Sequence, residues 1–178
     1  YRMKNPFSNP FILFLVKAAL LYIAWELLYE LWLHPNRTLE LFVISNINFL
    51  VNGILELLGF SLIDSGMIQG HDRTLGIDGT HGLYIADSCA GVPLMALFTG
   101  FILAYPGSTL RKLIYIPIGL IIIHLINIIR IVGLAIVTLY APEMLDFNHH
   151  YTFTIIVYAC IFVLWILWVN RFSKSETI

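Results

Sequence analysis

Long apolar runs separated by short polar breaks form the dominant pattern of the chain. Four of these runs are long enough to predict membrane-crossing helices, because a hydrocarbon core of about 30 Å needs roughly 20 helical residues. They lie within residues 11–33, 83–105, 113–140 and 149–170, and in the second of these ranges the span follows the stretch around Cys89. The pattern therefore predicts an all-α fold, a polytopic transmembrane helical bundle.

A further apolar segment, residues 39–60, carries a polar stripe at intervals of three and four residues. A helix of this kind lies in the membrane interface or lines a polar cavity inside a bundle, although its length would also permit a crossing. We predict one amphipathic helix that does not cross. The stripe consists of Ser45, Asn48, Asn52, Glu56 and Gly59.

Residues 61–82 are polar and rich in glycine. Turn dipeptides such as Asp78-Gly79 predict a small extramembrane hairpin or loop. Four side chains of this segment could suggest a metal ion, but their spacing matches no standard site. We therefore expect solvated loop residues here, and neither a metal nor another cofactor. The four are His71, Asp72, Asp78 and His81.

Composition agrees with a membrane protein. Of the 178 residues, 59% are hydrophobic and 12% are charged, whereas soluble globular chains carry about 25% charged residues. We expect one integral membrane domain, residues 1–178, embedded in the bilayer. The net charge of −1 gives no reason to expect a nucleic-acid partner. The two cysteines lie far apart in sequence, so a disulfide framework is not expected.

The basic residues of the short loops fall on one side of the membrane if residues 39–60 do not cross. The positive-inside rule places that side in the cytoplasm. Both termini then lie inside, and the hairpin and the acidic loop with Glu143 and Asp146 lie outside. The basic residues are Arg2, Lys4, Arg111, Lys112, Arg171 and Lys174.

Cys89 lies where the polar segment turns into the second apolar run, and two small residues follow it. Pro93 suits the first turn of a helix, where its missing N–H costs nothing. A cysteine near a helix N-terminus gains from the helix dipole, which favours the thiolate. The alternative is that Cys89 is a small buried hydrophobe, as most free cysteines are. Cys160 falls inside an apolar run, and we expect it to be a lipid-facing or packing residue.

Two further residues are expected at the depth of Cys89. Arg130 lies 18 positions after Lys112, or about 27 Å along a helix, and His149 opens the last run. A thiolate is a nucleophile, a histidine can take and return a proton, and an arginine can hold a developing oxyanion. Asn127, one helical turn before Arg130, could supply another donor or orient a loop.

Glu26 and Glu30 lie in the far half of the first run and share one helix face. Carboxylates at that depth usually face a protein interior or a wet cavity. The alternative is that they mark the place where the helix leaves the membrane. An ion pair with either of them is the structural alternative for Arg130.

The motifs resemble those of the exosortase/archaeosortase family of membrane transpeptidases. Ser-Cys-Ala-Gly at residues 88–91 stands in the place of the family's Cys-Ser-Gly-like signature. Asn-Ile-Ile-Arg-Ile at residues 127–131 matches its Asn-x-x-Arg-Ile motif, and a histidine opens the final helix. The resemblance implies Cys89 as nucleophile, Arg130 as carbonyl or oxyanion partner, and the histidine as general acid and base. We favour His149, and His150 remains open.

The resemblance also implies a short bacterial member in the cytoplasmic (inner) membrane, with its site facing the periplasm or other extracytoplasmic side. Its substrates would be secreted proteins that end in a short sorting motif, a transmembrane helix and a basic tail. The enzyme would cleave this signal and pass the acyl group, through a thioester, to an acceptor that the sequence does not name.

Two other functions fit parts of the pattern. A non-enzymatic membrane helper or small transporter would use Glu26, Glu30, His124 and Arg130 as a polar pathway and would not need the cysteine. A metal-dependent intramembrane protease would use histidines and acids, but no His-Glu-x-x-His-type spacing is present.

Overall fold

The computed structural model describes residues 9–63 and 73–173. Apart from a small hairpin, this part of the chain is helical, as predicted. The α-helices are α1 (Pro10–Leu28), α2 (His34–Asn36), α3 (Thr38–Leu57), α4 (Val92–Ala104), α5 (Thr109–Tyr140), α6 (Leu145–Phe147) and α7 (Phe153–Leu167). The strands are β1 (Thr74–Leu75) and β2 (Leu83–Tyr84). Turns of 3₁₀-helix cover Asp87–Ala90 and Pro142–Met144, and π-helical turns cover Tyr29–Leu33, Asn148–Thr152 and Trp168–Phe172.

Four continuous helical stretches are long and apolar enough to cross a membrane: Pro10–Asn36, Thr38–Leu57, Thr109–Tyr140 and Pro142–Phe172. The protein is therefore a multi-pass membrane protein. The second predicted span, which follows the stretch around Cys89, is the short helix α4. Residues 83–90 include β2 and a 3₁₀ turn, and α4 itself has 13 residues, or about 20 Å.

The helices pack antiparallel, which brings basic residues to one end of the bundle. The rings of Phe14 on α1 and Phe101 on α4 meet edge to face, with their centroids 5.5 Å apart. The Arg111 guanidinium donates to the carbonyl of Phe172 over 3.1 Å, and Lys112 Nζ donates to that of Leu103 over 3.0 Å. We call the end that carries Arg111, Lys112 and Arg171 the basic end, and the opposite one the site end.

The half of the bundle towards the basic end has its own core between α4, α5 and α7. Gly119 on α5 makes room for it, because a Cβ at this position would overlap the ring of Phe98. Tyr115 donates from its hydroxyl to the carbonyl of Leu164 over 2.7 Å, which satisfies a polar group within this apolar region. The core residues are Phe98, Ile102, Ile123, Val157, Ile161, Leu164 and Trp168.

The helix α3 belongs to the site end. Its buried face packs into a cluster with the hairpin and the second half of α5, while no described residue of α3 enters the core towards the basic end. The buried face consists of Glu40, Ile44, Ile47, Val51 and Leu55.

Both ends of α3 lie close to the hairpin. His34, just before α3, has its Nε2 3.9 Å from the carboxylate of Asp87, which follows β2. Leu62, just after α3, forms a β-bridge with Ile77. The predicted polar stripe borders the buried side: Ser45, Glu56 and Gly59 are exposed, whereas Asn48 and Asn52 are half-buried. The length and composition of α3 would allow a crossing, and the position of this helix relative to the membrane stays a prediction.

The hairpin has the antiparallel form that the turn residues predict. Thr74 pairs with Tyr84 and Leu75 with Leu83. At the turn, the Asp78 carboxylate accepts from the N–H of Gly79 over 3.0 Å, and Gly79 has a φ of +85° that suits glycine. The hairpin packs its apolar side chains against α3 and α5, so it forms a wall beside the residues that follow it.

Candidate active site

Cys89 lies on the 3₁₀ turn Asp87–Ala90, between β2 and α4. The turn is tight because the Cys89 N–H donates to the carbonyl of Ala86 over 2.9 Å. Gly91 ends the turn with a φ of +80° and is the N-cap of α4. Pro93 occupies the first turn of α4, as predicted. The thiol is thus held three residues before the first residue of that helix.

Asn127 on α5 fixes the backbone of this turn. Its amide Nδ2 donates to the Cys89 carbonyl over 2.9 Å, and the residue is only 1% exposed. A Cβ at Gly91 would come within 3.3 Å of the same Nδ2. Gly91 therefore serves two needs, a left-handed backbone and the close approach of Asn127.

His149 supplies the imidazole that meets the thiol. Its Nε2 lies 3.4 Å from Cys89 Sγ. The ring stands on the π-helical turn Asn148–Thr152, and the His149 carbonyl accepts from the Thr154 hydroxyl five residues later over 2.9 Å. Single π-turns of this type are frequent at functional sites.

His150 points elsewhere. Its Nδ1 lies 3.0 Å from the backbone carbonyl of Asp146 and 3.2 Å from the carboxylate of the same residue. Its side chain is largely exposed. Adjacent residues of a helix point about 100° apart, so only one of the two rings reaches Cys89, and that ring is His149.

Arg130 shares a small cleft with Cys89 and His149. The cleft has a volume of about 20 Å³, enough for about one water molecule. The Arg130 Nε is buried and has no hydrogen-bond partner within the described residues. Polar groups of this kind usually find a partner, so Arg130 brings to the lining of the cleft a donor that has none within the described residues. The lining residues are Leu83, Tyr84, Ile85, Cys89, Arg130, Ile131, Leu134 and His149.

The carboxylates of α1 do not join this cleft. Glu26 lines a separate, mostly apolar groove between α1, α4 and α7, where it neighbours Tyr22. Glu30 is exposed on the π-helical turn that follows α1. Across residues 9–63 and 73–173, neither carboxylate forms an ion pair with Arg130. The structural alternative of an Arg130 pair with Glu26 or Glu30 therefore has no support in the geometry.

An ion pair next to the site was missed at the sequence level. Arg73 Nη1 lies 2.6 Å from the carboxylate of Asp87, and both side chains are largely buried. This hydrogen bond is the main cause that raises the pKa of the Arg73 guanidinium. Arg73 precedes β1 and Asp87 follows β2, so the pair closes the open end of the hairpin two residues before Cys89. The available signal was a pair of opposite charges on the two sides of the predicted Asp78-Gly79 turn.

The remaining sequence candidates take structural positions. Within the described residues, no group of three or more histidines, cysteines or carboxylates could hold a metal ion. His71 and Asp72 lie outside the described residues, and the Asp78 carboxylate accepts a hydrogen bond from the Gly79 N–H within the same turn. Cys160 is a free cysteine that packs against the core of α4, α5 and α7. His124 lies 2.7 Å from Asn46 of α3, outside the cleft.

The contacts between α4 and α5 show how deep the thiol lies. Lys112 meets Leu103 at the basic end, and Asn127 meets Cys89. The 15 residues between Lys112 and Asn127 correspond to about 22 Å. The helix α5 continues beyond Asn127 to Tyr140. The sulfur is therefore recessed between the helices and lies below the far end of α5.

The fold and the cleft define a polytopic helical membrane protein with a thiol, an imidazole and a guanidinium around one small space. A family model described as transmembrane exosortase matches residues 8–168. Because this match covers most of the chain, the protein belongs to the transmembrane exosortase family. Membership supports a membrane transpeptidase-type role in general. Comparison with curated proteins and with solved structures found no significant match.

Proposed function

We propose that the protein is a membrane-embedded cysteine transpeptidase in which Cys89 is the nucleophile. The observation that carries the proposal is the 3.4 Å separation of Cys89 Sγ and His149 Nε2. This distance allows the imidazole to take the thiol proton, because the donor and acceptor are within reach of a sulfur hydrogen bond. The exposed His150, held by Asp146, has no equivalent contact.

The proposed reaction divides between three side chains. The Cys89 sulfur adds to the scissile carbonyl while His149 accepts the thiol proton. Arg130 donates hydrogen bonds to the oxyanion that develops. The C–N bond then breaks, His149 protonates the leaving amine, and a thioester to Cys89 remains. A nucleophile on the acceptor attacks the thioester and gives its proton to His149. The C–S bond breaks as the new acyl bond forms, and His149 returns the proton to the Cys89 thiolate.

The substrates in this proposal are secreted proteins with a C-terminal sorting motif, a transmembrane helix and a basic tail. Family membership supports membrane protein substrates. By the positive-inside rule, the basic tail of such a substrate would lie on the same side of the membrane as the basic end of the bundle. The site would face the extracytoplasmic side of a bacterial cytoplasmic membrane, because the positive-inside rule places Arg111, Lys112 and Arg171 in the cytoplasm. The acceptor is a molecule with a nucleophilic group that attacks the thioester and takes over the acyl group.

A thiol substitution tests the proposal. Processing of a co-expressed reporter, fused to a C-terminal signal from the same genome, should stop in Cys89→Ala and continue in the matched control Cys160→Ala. Wild-type enzyme should form an adduct with the reporter that hydroxylamine removes, since thioesters react with hydroxylamine. Full processing by Cys89→Ala would refute the proposal. That result is the one expected from a helper or transporter that uses a polar pathway without the thiol.

A further inference from the structure

The strand β2 has one edge that carries no strand within the described residues. The sheet consists of β1 and β2 alone. On the other side, residues next to β1 pair with the segment after α3, where the Ile63 N–H donates to the Gly76 carbonyl over 3.1 Å. Within residues 9–63 and 73–173, β2 is therefore an edge strand, and its open side borders the cleft.

The hydrogen-bond register shows which backbone groups face that open edge. The Ile85 N–H donates to the Arg73 carbonyl over 2.7 Å, and Thr74 pairs with Tyr84. In an antiparallel ladder, hydrogen-bonded and non-hydrogen-bonded pairs alternate. Since Arg73 and Ile85 form a hydrogen-bonded pair, Thr74 and Tyr84 form a non-bonded one. The N–H and C=O of Tyr84 therefore point away from β1.

The open edge borders the reactive groups. Leu83, Tyr84 and Ile85 line the same cleft as Cys89, Arg130 and His149. Five residue steps lead from Tyr84 to Cys89, so the two lie at most about 18 Å apart. An extended peptide of about five residues spans that upper limit, and a shorter one suffices because the 3₁₀ turn Asp87–Ala90 shortens the path.

The side chains of this strand leave the edge accessible. Ile85 is buried in the cluster with α3 and α5, whereas Tyr84 projects to the opposite face and is 60% exposed. The cleft itself holds only about 20 Å³, which is too little for a peptide segment. The polypeptide must therefore bind along the surface beside the cleft and present one carbonyl to it.

We propose that the polypeptide that carries the scissile bond binds as an extended strand along the free edge of β2 and pairs with the backbone N–H and C=O of Tyr84. This inference rests on the proposed function of Cys89. Backbone pairing of this type supplies affinity from the main chain, while side-chain pockets supply specificity. The strand then acts as a guide that sets the register of the scissile carbonyl relative to Cys89, Arg130 and His149.

Two irreversible probes of the thiol test the pairing without knowledge of the substrate. Acetyl-Ala-Ala-Ala chloromethyl ketone supplies an extended peptide, and the Cys89 sulfur displaces its chloride to form a C–S bond. Iodoacetamide alkylates the same thiol and offers no peptide strand. The rates of labelling are measured on full-length protein in detergent with Cys160→Ala as the background.

Two substitutions of Tyr84 distinguish the contribution of its backbone N–H from that of its side chain. Tyr84→Pro removes the N–H, and an edge strand tolerates proline when the N–H does not pair within the sheet. Tyr84→Val keeps the N–H and, like the proline variant, loses the phenol together with its hydrogen bond to Arg73. We expect the peptide probe to label the proline variant more slowly than the valine variant by about 2- to 12-fold, the range for one neutral hydrogen bond. The two variants should react alike with iodoacetamide. Equal peptide rates, or an equal loss with both probes, would overturn the pairing.

Methylated probes provide the same test on the enzyme with an unchanged Tyr84. Two versions of the peptide probe carry an N-methyl group at one or the other of two successive amides. Because the side of a strand that donates alternates from residue to residue, only one methylation should slow the labelling. Equal effects of both would overturn the proposal even if Tyr84→Pro fails to fold. If Cys89 reacts with iodoacetamide but neither methylation changes the rate of labelling, only the proposed strand pairing is refuted. If Cys89 does not react with iodoacetamide, the proposed function of Cys89 is refuted as well.

Discussion

The Asn127 amide on α5 donates a hydrogen bond to the carbonyl of Cys89 over 2.9 Å. It joins the middle of a 32-residue helix to the turn that carries the thiol. Asn127 is buried, and Gly91 leaves the space that its amide occupies. The bond therefore makes the position of the thiol depend on α5, the same helix that supplies Arg130 one turn later.

Asn127→Ala should destabilise the turn and reduce the activity. The lost bond is worth about 1 kcal/mol, and the Cys89 carbonyl loses its side-chain donor. We expect a lower midpoint of thermal unfolding in detergent and slower alkylation of Cys89 by iodoacetamide. Asn36→Ala is the matched control, because Asn36 makes a 2.8 Å bond to the Trp32 carbonyl at an exposed position. An equally small effect of both changes would show that Asn127 does not position the thiol.

The Arg73–Asp87 pair should be coupled to the reactivity of Cys89. Its removal opens the hairpin two residues before the thiol and leaves a largely buried charge without its partner. A double-mutant cycle with Arg73→Gln and Asp87→Asn should give a coupling energy of about 1–3 kcal/mol in stability. Each single variant should also slow the alkylation of Cys89.

The exposed pair of His150 and Asp146 offers a comparison for that cycle. Exposed ion pairs contribute about 0–1 kcal/mol, because solvent screens them. A cycle with His150→Gln and Asp146→Asn should therefore show a smaller coupling than the Arg73–Asp87 cycle. Additive effects of Arg73→Gln and Asp87→Asn would contradict the role of their pair in holding the hairpin closed.

The sequence was sufficient to predict the helices and the reactive side chains Cys89, Arg130 and His149 of the cleft, because both depend on short sequence patterns. Apolar runs predict long helices from length alone, and Asn127 and Arg130 lie one turn apart on one of them. The transition from loop to helix at Cys89 was also predicted, because Pro93 suits the first turn of a helix. The 3₁₀ turn and the left-handed conformation of Gly91, which delay the start of α4 until Val92, were not predicted.

The long-range contacts of the site could not be predicted from the sequence. The Arg73–Asp87 pair and the cleft wall formed by β2 depend on how the hairpin folds back onto α5, and no periodicity in the chain encodes that contact. For the same reason, the sequence left open which of His149 and His150 contacts Cys89. The choice depends on the rotation of the last helix, which the π-helical turn Asn148–Thr152 alters locally.

The orientation of the bundle can be tested by single-cysteine labelling in a background without Cys89 and Cys160. We expect Asp78Cys and Glu143Cys to react with a membrane-impermeant maleimide from the extracytoplasmic side, and Ser108Cys to react only after the membrane is permeabilised. The reason is that Ser108 lies beside Arg111 at the basic end, which the positive-inside rule assigns to the cytoplasm. Labelling of Asp78Cys from the cytoplasm alone would reverse the topology and the proposed side of the site.

The two histidines should differ sharply. His149→Ala removes the group that lies 3.4 Å from the Cys89 sulfur, and a general acid and base typically contributes about 10²–10⁴-fold to a rate. His150→Ala removes an exposed ring that interacts with Asp146, so its effect should stay within a few-fold. Turnover of the reporter and protein abundance are measured together. The reverse pattern would assign the proton transfer to His150, and normal activity of both variants would remove histidine from the mechanism.

Arg130 tests whether the cleft needs a positive charge or a planar donor. If Arg130 holds the scissile carbonyl or the oxyanion, its fork of fixed donors matters, and a lysine cannot reproduce that geometry. Loss of one oxyanion donor typically costs about 10²–10³-fold in rate. We therefore expect Arg130→Lys to process the reporter almost as poorly as Arg130→Ala, with protein abundance and the labelling of Cys89 by iodoacetamide largely retained. Recovery of most activity in Arg130→Lys would mean that charge alone suffices. In that case the buried Nε, which has no partner within the described residues, would not be the donor that the reaction uses.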